Sequence, residues 1–251
     1  MRCLLLLSLF ATTVPAAEPL IVLREKPVRI ATSASATIFP ESWRGSEIAA
    51  SALALPEERR DEALRVVDAA LAKYPVEVLQ AHLRTIYLLR ELKYRGVITS
   101  GTNSRVDVYL KIGSVQEGFT AEHIERVFHA EFSSILFRNR PQFLDQNAWK
   151  AANPPTFSYL GDGVEAVKQG KARTKLDQDL NALGFLSQYT QSTLENDFNA
   201  VAARLWTGDP MLRQLAEKYA PLHQKLTLTL RFYHQLHPRL DEAFFRSLVP
   251  P

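Results

Sequence analysis

The chain of 251 residues holds one cysteine, Cys3. A single thiol forms no intrachain disulfide, so the fold must be held by packing rather than by covalent staples. An apolar stretch of membrane length is also missing near the N-terminus. The run from Leu4 to Phe10 falls far short of the roughly 20 residues that a bilayer-crossing helix needs. Charge of one sign is not segregated either. The 30 Lys and Arg interleave with 27 Asp and Glu to leave a formal net charge of +3. No basic run with interleaved aromatics occurs, which excludes the usual electrostatic footprint of a nucleic-acid binder. So small a surplus permits at most a mild attraction to anionic cell-envelope polymers.

What is present describes an exported globular protein. With 46% hydrophobic and 23% charged residues, the chain can bury one substantial core. Met1-Arg2 gives a positive start, Leu4 to Phe10 an apolar segment, and Val14-Pro15-Ala16-Ala17 a small-residue cleavage site. These are the three parts of a secretory signal peptide over residues 1–17, implying a periplasmic or secreted destination. Cys3 precedes the apolar segment and is not placed for lipidation. Residues 18–251 are then read as a single domain.

Along that domain the patterns alternate between strand and helix. Leu20–Leu23 and Val28–Ala31 read as short strands, and Thr32 to Ser46 as loop. Pro56 opens a helix reaching Lys73. A second helix follows Pro75, with Val78, Leu79, His82, Ile86 and Leu89 as its apolar stripe and His82 as a core residue. Gly96 and a Gly101-Thr102-Asn103 turn bracket a hairpin. In it Val106, Val108, Leu110 and Ile112 alternate with Asp107, Tyr109 and Lys111 as a half-buried strand. Residues 139–175 form the longest irregular stretch, where Trp149, Phe157 and Tyr159 point to a packed cover rather than disorder. From Pro210 to Phe245 the pattern is helical. His234 and His237 there are explained by a helix C-terminus. The expected architecture is α+β and predominantly helical, a small antiparallel sheet with an edge hairpin lying beside one long helix.

That long helix carries the chemistry. Thr120 is its N-cap and Glu122 lies in its first turn. Ile124, Val127, Phe128, Phe132 and Ile135 define its buried stripe, and Glu131 falls inside it. A carboxylate on an apolar face is costly unless paired, and Arg138 is one candidate partner. His129 is rotated away from Ser134 and pairs with Glu125 at i, i+4, as a metal half-site or a solvated surface pair. Ser133 and Ser134 adjoin Glu131, but no oriented histidine accompanies them for nucleophilic catalysis. Further on, Ser192 and Glu195 have the spacing of a capping box. Asp197 sits on the other flank of that helix and could face the helix that holds Glu131; the pattern leaves open which of Glu195 and Asp197 faces the cleft. Two carboxylates in one pocket would raise the pKa of one of them.

The stretch Ala130-Glu131-Phe132-Ser133-Ser134-Ile135-Leu136 resembles a zincin active-site helix. In H-E-x-x-H, two imidazoles one turn apart hold zinc and the Glu between them is general base. Together with the hairpin Ser100–Ile112, the loop Asn153-Pro154-Pro155-Thr156-Phe157-Ser158-Tyr159 and the segment Glu195-Asn196-Asp197-Phe198-Asn199, it is similar to the secreted zinc-binding metallopeptidases of bacteria. The resemblance spans Tyr94 to Trp206. It implies a gluzincin-like cleft in which Glu131 is the general base and Tyr109, Trp149, Phe157 and Tyr159 contact substrate. The ligand positions are vacant, being Ala130 and Ser134. An unconventional metal set would draw on His129, Glu195 and Asp197. Enzyme status is therefore open. The expected function is a metallopeptidase-like protein that binds peptide or cell-envelope polymer along the hairpin edge without zinc hydrolysis and with no cofactor. The alternatives are a hydrolase retaining Glu131 and zinc, and a structural envelope protein.

Overall fold

The structure, a computed structural model, describes residues 19–250; the signal peptide read over residues 1–17 lies outside them. The strands are β1 (Ile21–Arg24), β2 (Arg29–Thr32), β3 (Ser51–Ala54), β4 (Thr85–Tyr94), β5 (Val97–Ile98), β6 (Gly101–Asn103) and β7 (Asp107–Lys111). They form one seven-stranded sheet in the order β1-β2-β4-β7-β6, with β3 and β5 also paired to β4. The helices are α1 (Glu41–Arg44), α2 (Arg60–Leu71), α3 (Val76–His82), α4 (Ala121–Asn139), α5 (Gln146–Ala151) and α6 (Gly163–Lys168). They continue with α7 (Gln178–Ala182), α8 (Leu194–Trp206), α9 (Pro210–Lys218), α10 (Ala220–Leu236) and α11 (Glu242–Ser247). The class is α+β with helix predominating, as the sequence implies.

The sheet corrects one part of that expectation. It is mixed, because β4 runs parallel to both β2 and β7. The hairpin patterns in the sequence show only neighbours along the chain, and these two pairings join strands that are not consecutive. β5 and β6 carry the chain back between β4 and β7, so the two long strands align in one direction. The turn before β5 places Arg95 and Gly96 at φ 50° and 77°, the two-residue hairpin geometry that favours glycine. The expected Gly101-Thr102-Asn103 turn is instead β6. The chain reverses at Ser104–Val106, where Ser104 Oγ accepts from the backbone N–H of Val106 at 3.2 Å and of Asp107 at 2.9 Å.

Other boundaries move for related reasons. The second helix stops at His82, and Ile86 and Leu89 belong to β4. β4 is buried on both faces over its first half, so its apolar run shows no alternation. Residues 32–46 contain α1 and a 3-10 turn, and residues 139–175 contain α5 and α6.

Alternation along β4 and β7 sorts the apolar residues into two cores. Ile86, Leu88, Val108 and Leu110 face α2, α3, α4 and α8 across the larger one. Tyr87, Leu89 and Tyr109 face Phe39 and Ile38 in a smaller one on the opposite side of the sheet. α4 begins as read from the sequence, with Thr120 Oγ1 accepting from His123 N–H at 3.2 Å. Its stripe of Ile124, Phe128, Phe132 and Ile135 is buried in the larger core. That packing lays one flank of α4 against β6, the edge strand, and the other against α8.

Candidate functional site

Glu131 lies where α4 meets β6. The approach is close because Gly101 has no side chain. A Cβ there would stand 2.6 Å from Val127 Cγ1 and 2.9 Å from Glu131 Cγ. Two residues along β6, Asn103 Nδ2 donates to Glu131 Oε2 at 2.5 Å. Burial pushes the Glu131 carboxyl up to about 7, against the Asn103 hydrogen bond and the charge of Arg138 and with the help of nearby Glu195. Desolvation wins, because a single neutral donor replaces only part of a carboxylate's water shell. Asn103, rather than Arg138, is the direct partner. Arg138 donates from Nε to Ser134 O at 3.2 Å and from Nη2 to Ser104 O at 3.2 Å, and its guanidinium stands 3.7 Å from Glu195.

The two positions flanking Glu131 differ in what they offer. Ala130 has no donor atom. Ser134 is 3% exposed, and its hydroxyl accepts from Asn199 Nδ2 of α8 at 2.5 Å. Ser133 Oγ donates to His129 O at 2.5 Å and lies 2.7 Å from Tyr233 OH. Its hydroxyl serves the core and does not face Glu131.

His129 is not a solvated surface residue. Its ring is fully buried, with Nδ1 2.8 Å from Tyr74 OH and Nε2 3.3 Å from Glu125 Oε1. The ring stacks on Trp206 with centroids 5.6 Å apart. Burial pushes the imidazole down to about 4, despite Glu125. Glu125 itself is held at about 2 because hydrogen bonds from His129 and Lys73 outweigh the burial that opposes its charge. A neutral ring with one nitrogen accepting from Tyr74 and the other donating to Glu125 satisfies every group here.

The acidic segment of α8 divides between two environments. The cap is Thr193, whose Oγ1 accepts from Asn196 N–H at 2.9 Å. Ser192 Oγ instead donates to Tyr189 O at 2.7 Å, so the expected Ser192–Glu195 capping box does not form. Glu195 turns toward Arg138 and Glu131. Asp197 turns the other way and does not share Glu131's pocket. Its Oδ2 accepts from Lys225 Nζ at 2.6 Å, from Tyr159 OH at 2.7 Å and from Trp149 Nε1 at 3.0 Å. Asp197 and Lys225 are both fully buried. Burial raises the Asp197 carboxyl and lowers the Lys225 ammonium from their ordinary values, and their mutual attraction opposes both shifts.

The residues read as substrate contacts are thus placed apart from Glu131. Trp149 and Tyr159 hold Asp197, and Phe157 packs edge-on to Tyr159 at 5.1 Å. Tyr109 is buried on the opposite face of the sheet from α4, its OH donating to Ile38 O at 2.7 Å and its ring stacked 5.0 Å from Tyr87. Sequence reasoning missed Lys225 and Asn103 as site residues. Lys225 had a signal, because it interrupts the stripe Leu222, Leu226, Thr229 and Tyr233 at helical spacing. Asn103 had none, since it resembles an ordinary turn residue until the register of β6 is known.

The zinc implied by the motif resemblance does not fit these residues. Among the described residues no group of three or more His, Cys, Asp or Glu could hold a metal ion. The groups that act on Glu131 include the Asn103 amide, the Glu195 carboxylate, the Arg138 guanidinium and the Tyr189 phenol. These include no imidazole or thiolate to hold a zinc ion, and the one guanidinium repels a cation. Among the described residues no helix is long and apolar enough to cross a membrane.

No protein-family model matches the chain, and no curated protein does. Among solved structures, it is similar to the crystal structure of a "putative zinc-binding metallo-peptidase" from Bacteroides caccae ATCC 43185. The identity is 15%, over 74% of this chain and 75% of that one, with a TM-score of 0.47.

Proposed function

We propose that this is an exported, metallopeptidase-like protein that binds an extended peptide or cell-envelope polymer along β6, over Glu131, without zinc hydrolysis. The observation that carries the reading is the Glu131–Asn103 contact between the long helix and the sheet edge. It sets the one surviving group of the motif beside a strand edge while Ala130 and Ser134 supply no metal ligand. Edge strands recognise extended chains by main-chain pairing, and that recognition needs no metal. Without a metal, nothing at Glu131 lowers the pKa of an attacking water to the neutral range.

A second reading keeps Glu131 as general base. It is favoured by the carboxyl's position near pH 7, where a base both accepts and releases a proton readily. Metal analysis of protein purified without chelator, beside a Glu131→Gln variant, separates the two. Binding without hydrolysis predicts substoichiometric zinc and peptide affinity retained in the variant. Stoichiometric zinc with hydrolysis that disappears in Glu131→Gln would establish the second reading instead.

A further inference from the structure

The end of the sheet beside Glu131 carries a recess of about 560 Å³, walled in part by Phe39, Trp43, Arg84, Asn103, Arg105 and Arg138. Asn103 belongs to both places. Its amide nitrogen is spent on Glu131, while its Oδ1 is buried without a hydrogen-bond partner in a residue only 8% exposed. In its ionised form the Glu131 carboxylate can only accept, and in that form it fixes which way the amide points. A buried acceptor left open is costly unless a donor reaches it.

The strand edge supplies a matching direction. Ser104 N–H donates to Asp107 O, and Lys111 N–H donates to Ser100 O. With Thr102 opposite Tyr109, the antiparallel pattern makes residues 100, 102 and 104 bond to β7 and turns Gly101 and Asn103 outward. Thr99 Oγ1 donates to Gly101 O at 2.8 Å. The Gly101 N–H and both backbone groups of Asn103 thus lie along the sheet's outer edge.

Charge at the recess is unbalanced. Asp107 is committed to Arg84, which grips it from Nε at 2.9 Å and Nη2 at 2.5 Å. The carboxylate nearest Arg138 is Glu195, at 3.7 Å. Arg105 is exposed and makes no ion pair among the described residues.

We propose that this recess is a carboxylate subsite for a peptide lying along β6, in which Arg105 and Arg138 pair with a peptide carboxylate and Asn103 Oδ1 accepts from a peptide N–H. The inference rests on the binding reading above and adds the ligand class. A uronate polymer would offer carboxylates but no main chain to pair with β6, so the strand edge favours a peptide. The carboxylate can be a C-terminus or an acidic side chain, since a guanidinium binds either in the same way.

Trp43 provides the readout, because it lines the recess while Trp149 and Trp206 are both 0% exposed. The probes are hexapeptides of alternating Thr and Val extended by one residue: Asn amide, Asn with a free C-terminus, or Asp amide. Each is titrated against the intact protein and followed by Trp43 fluorescence and by calorimetry. At least one carboxylate-bearing peptide is expected to bind about tenfold more tightly than the Asn amide peptide at low salt, and which one does identifies the source. Arg105→Gln should remove most of that advantage while leaving the Asn amide peptide unaffected. Arg138→Gln should do the same, with Arg105→Gln remaining decisive if losing the Ser134 contact unfolds the protein. Equal affinity for all three peptides would overturn the carboxylate subsite and leave strand pairing intact. Failure of every peptide to bind would overturn both this inference and the binding reading.

Discussion

Glu131 and His129 sit two residues apart on α4 and respond to pH in opposite senses. The Glu131 carboxyl titrates near 7 in the folded chain against an ordinary 4.5. The unfolded chain therefore gives up this proton first as pH rises. The stability that Glu131 contributes is complete below about 4.5 and is lost as pH climbs through about 7. His129 is held at about 4 against an ordinary 6.5. Its contribution is complete above 6.5 and is lost as pH falls toward 4. The two trends overlap and offset each other in the natural sequence. Glu131→Gln removes one of them, so the variant should gain stability over the parent by an amount growing from near zero at pH 4.5 to a few kcal/mol at most at pH 8. Paired thermal melts across that range test it. A difference in melting temperature that stays constant with pH would mean that the carboxyl is not walled in.

The elements make two further demands. α4 and β6 approach through Gly101, so Gly101→Ala should drive a methyl group into Val127 and Glu131. Overpacking of that kind costs about 1–3 kcal/mol, and its mark here would be a Glu131 titration moved back toward the ordinary carboxylate range as the Asn103 contact opens. Carboxyl resonances followed through a pH titration would show it, and an unmoved Glu131 would refute the close approach. α8 and α10 meet through Asp197 and Lys225. Removing one buried charge strands the other, so Asp197→Leu or Lys225→Met alone should cost about 3–5 kcal/mol, with the double variant recovering much of the loss. Simple additivity in denaturant melts would argue against the pair. These elements were unequally legible in the sequence. α4 declared itself through a capping threonine and a long apolar stripe, both local signals. β4 did not, because Ile86 and Leu89 fit a helical period as well as a doubly buried strand. The two carboxylates of α8 could be assigned to opposite flanks, yet which flank faced Glu131 depended on how α8 packs, which no local pattern encodes.

At the scale of the molecule, the resemblance to a zinc-peptidase helix and the observed surroundings of Glu131 make opposite demands on metal. A ligand that binds only the folded state stabilises it by about 4 kcal/mol when present at a thousand times its Kd. For a domain of this size each kcal/mol moves the melting temperature by roughly 2–4 °C. A genuine nanomolar zinc site would then raise the midpoint by about 8–16 °C at micromolar zinc, and chelator would lower it again. Here the imidazole of His129 is locked into the core by Tyr74 and Glu125, and Asp197 is spent on Lys225, Tyr159 and Trp149. Recruiting either to Glu131 would break a buried network whose loss costs more than one added ligand returns. The melting temperature should therefore change by no more than about 1 °C between micromolar zinc and excess chelator, by the same size relation. Glu131→Gln should behave identically in both. A rise of several degrees with zinc, abolished in Glu131→Gln, would show that the core around His129 or Asp197 reorganises to make the site that the folded arrangement lacks.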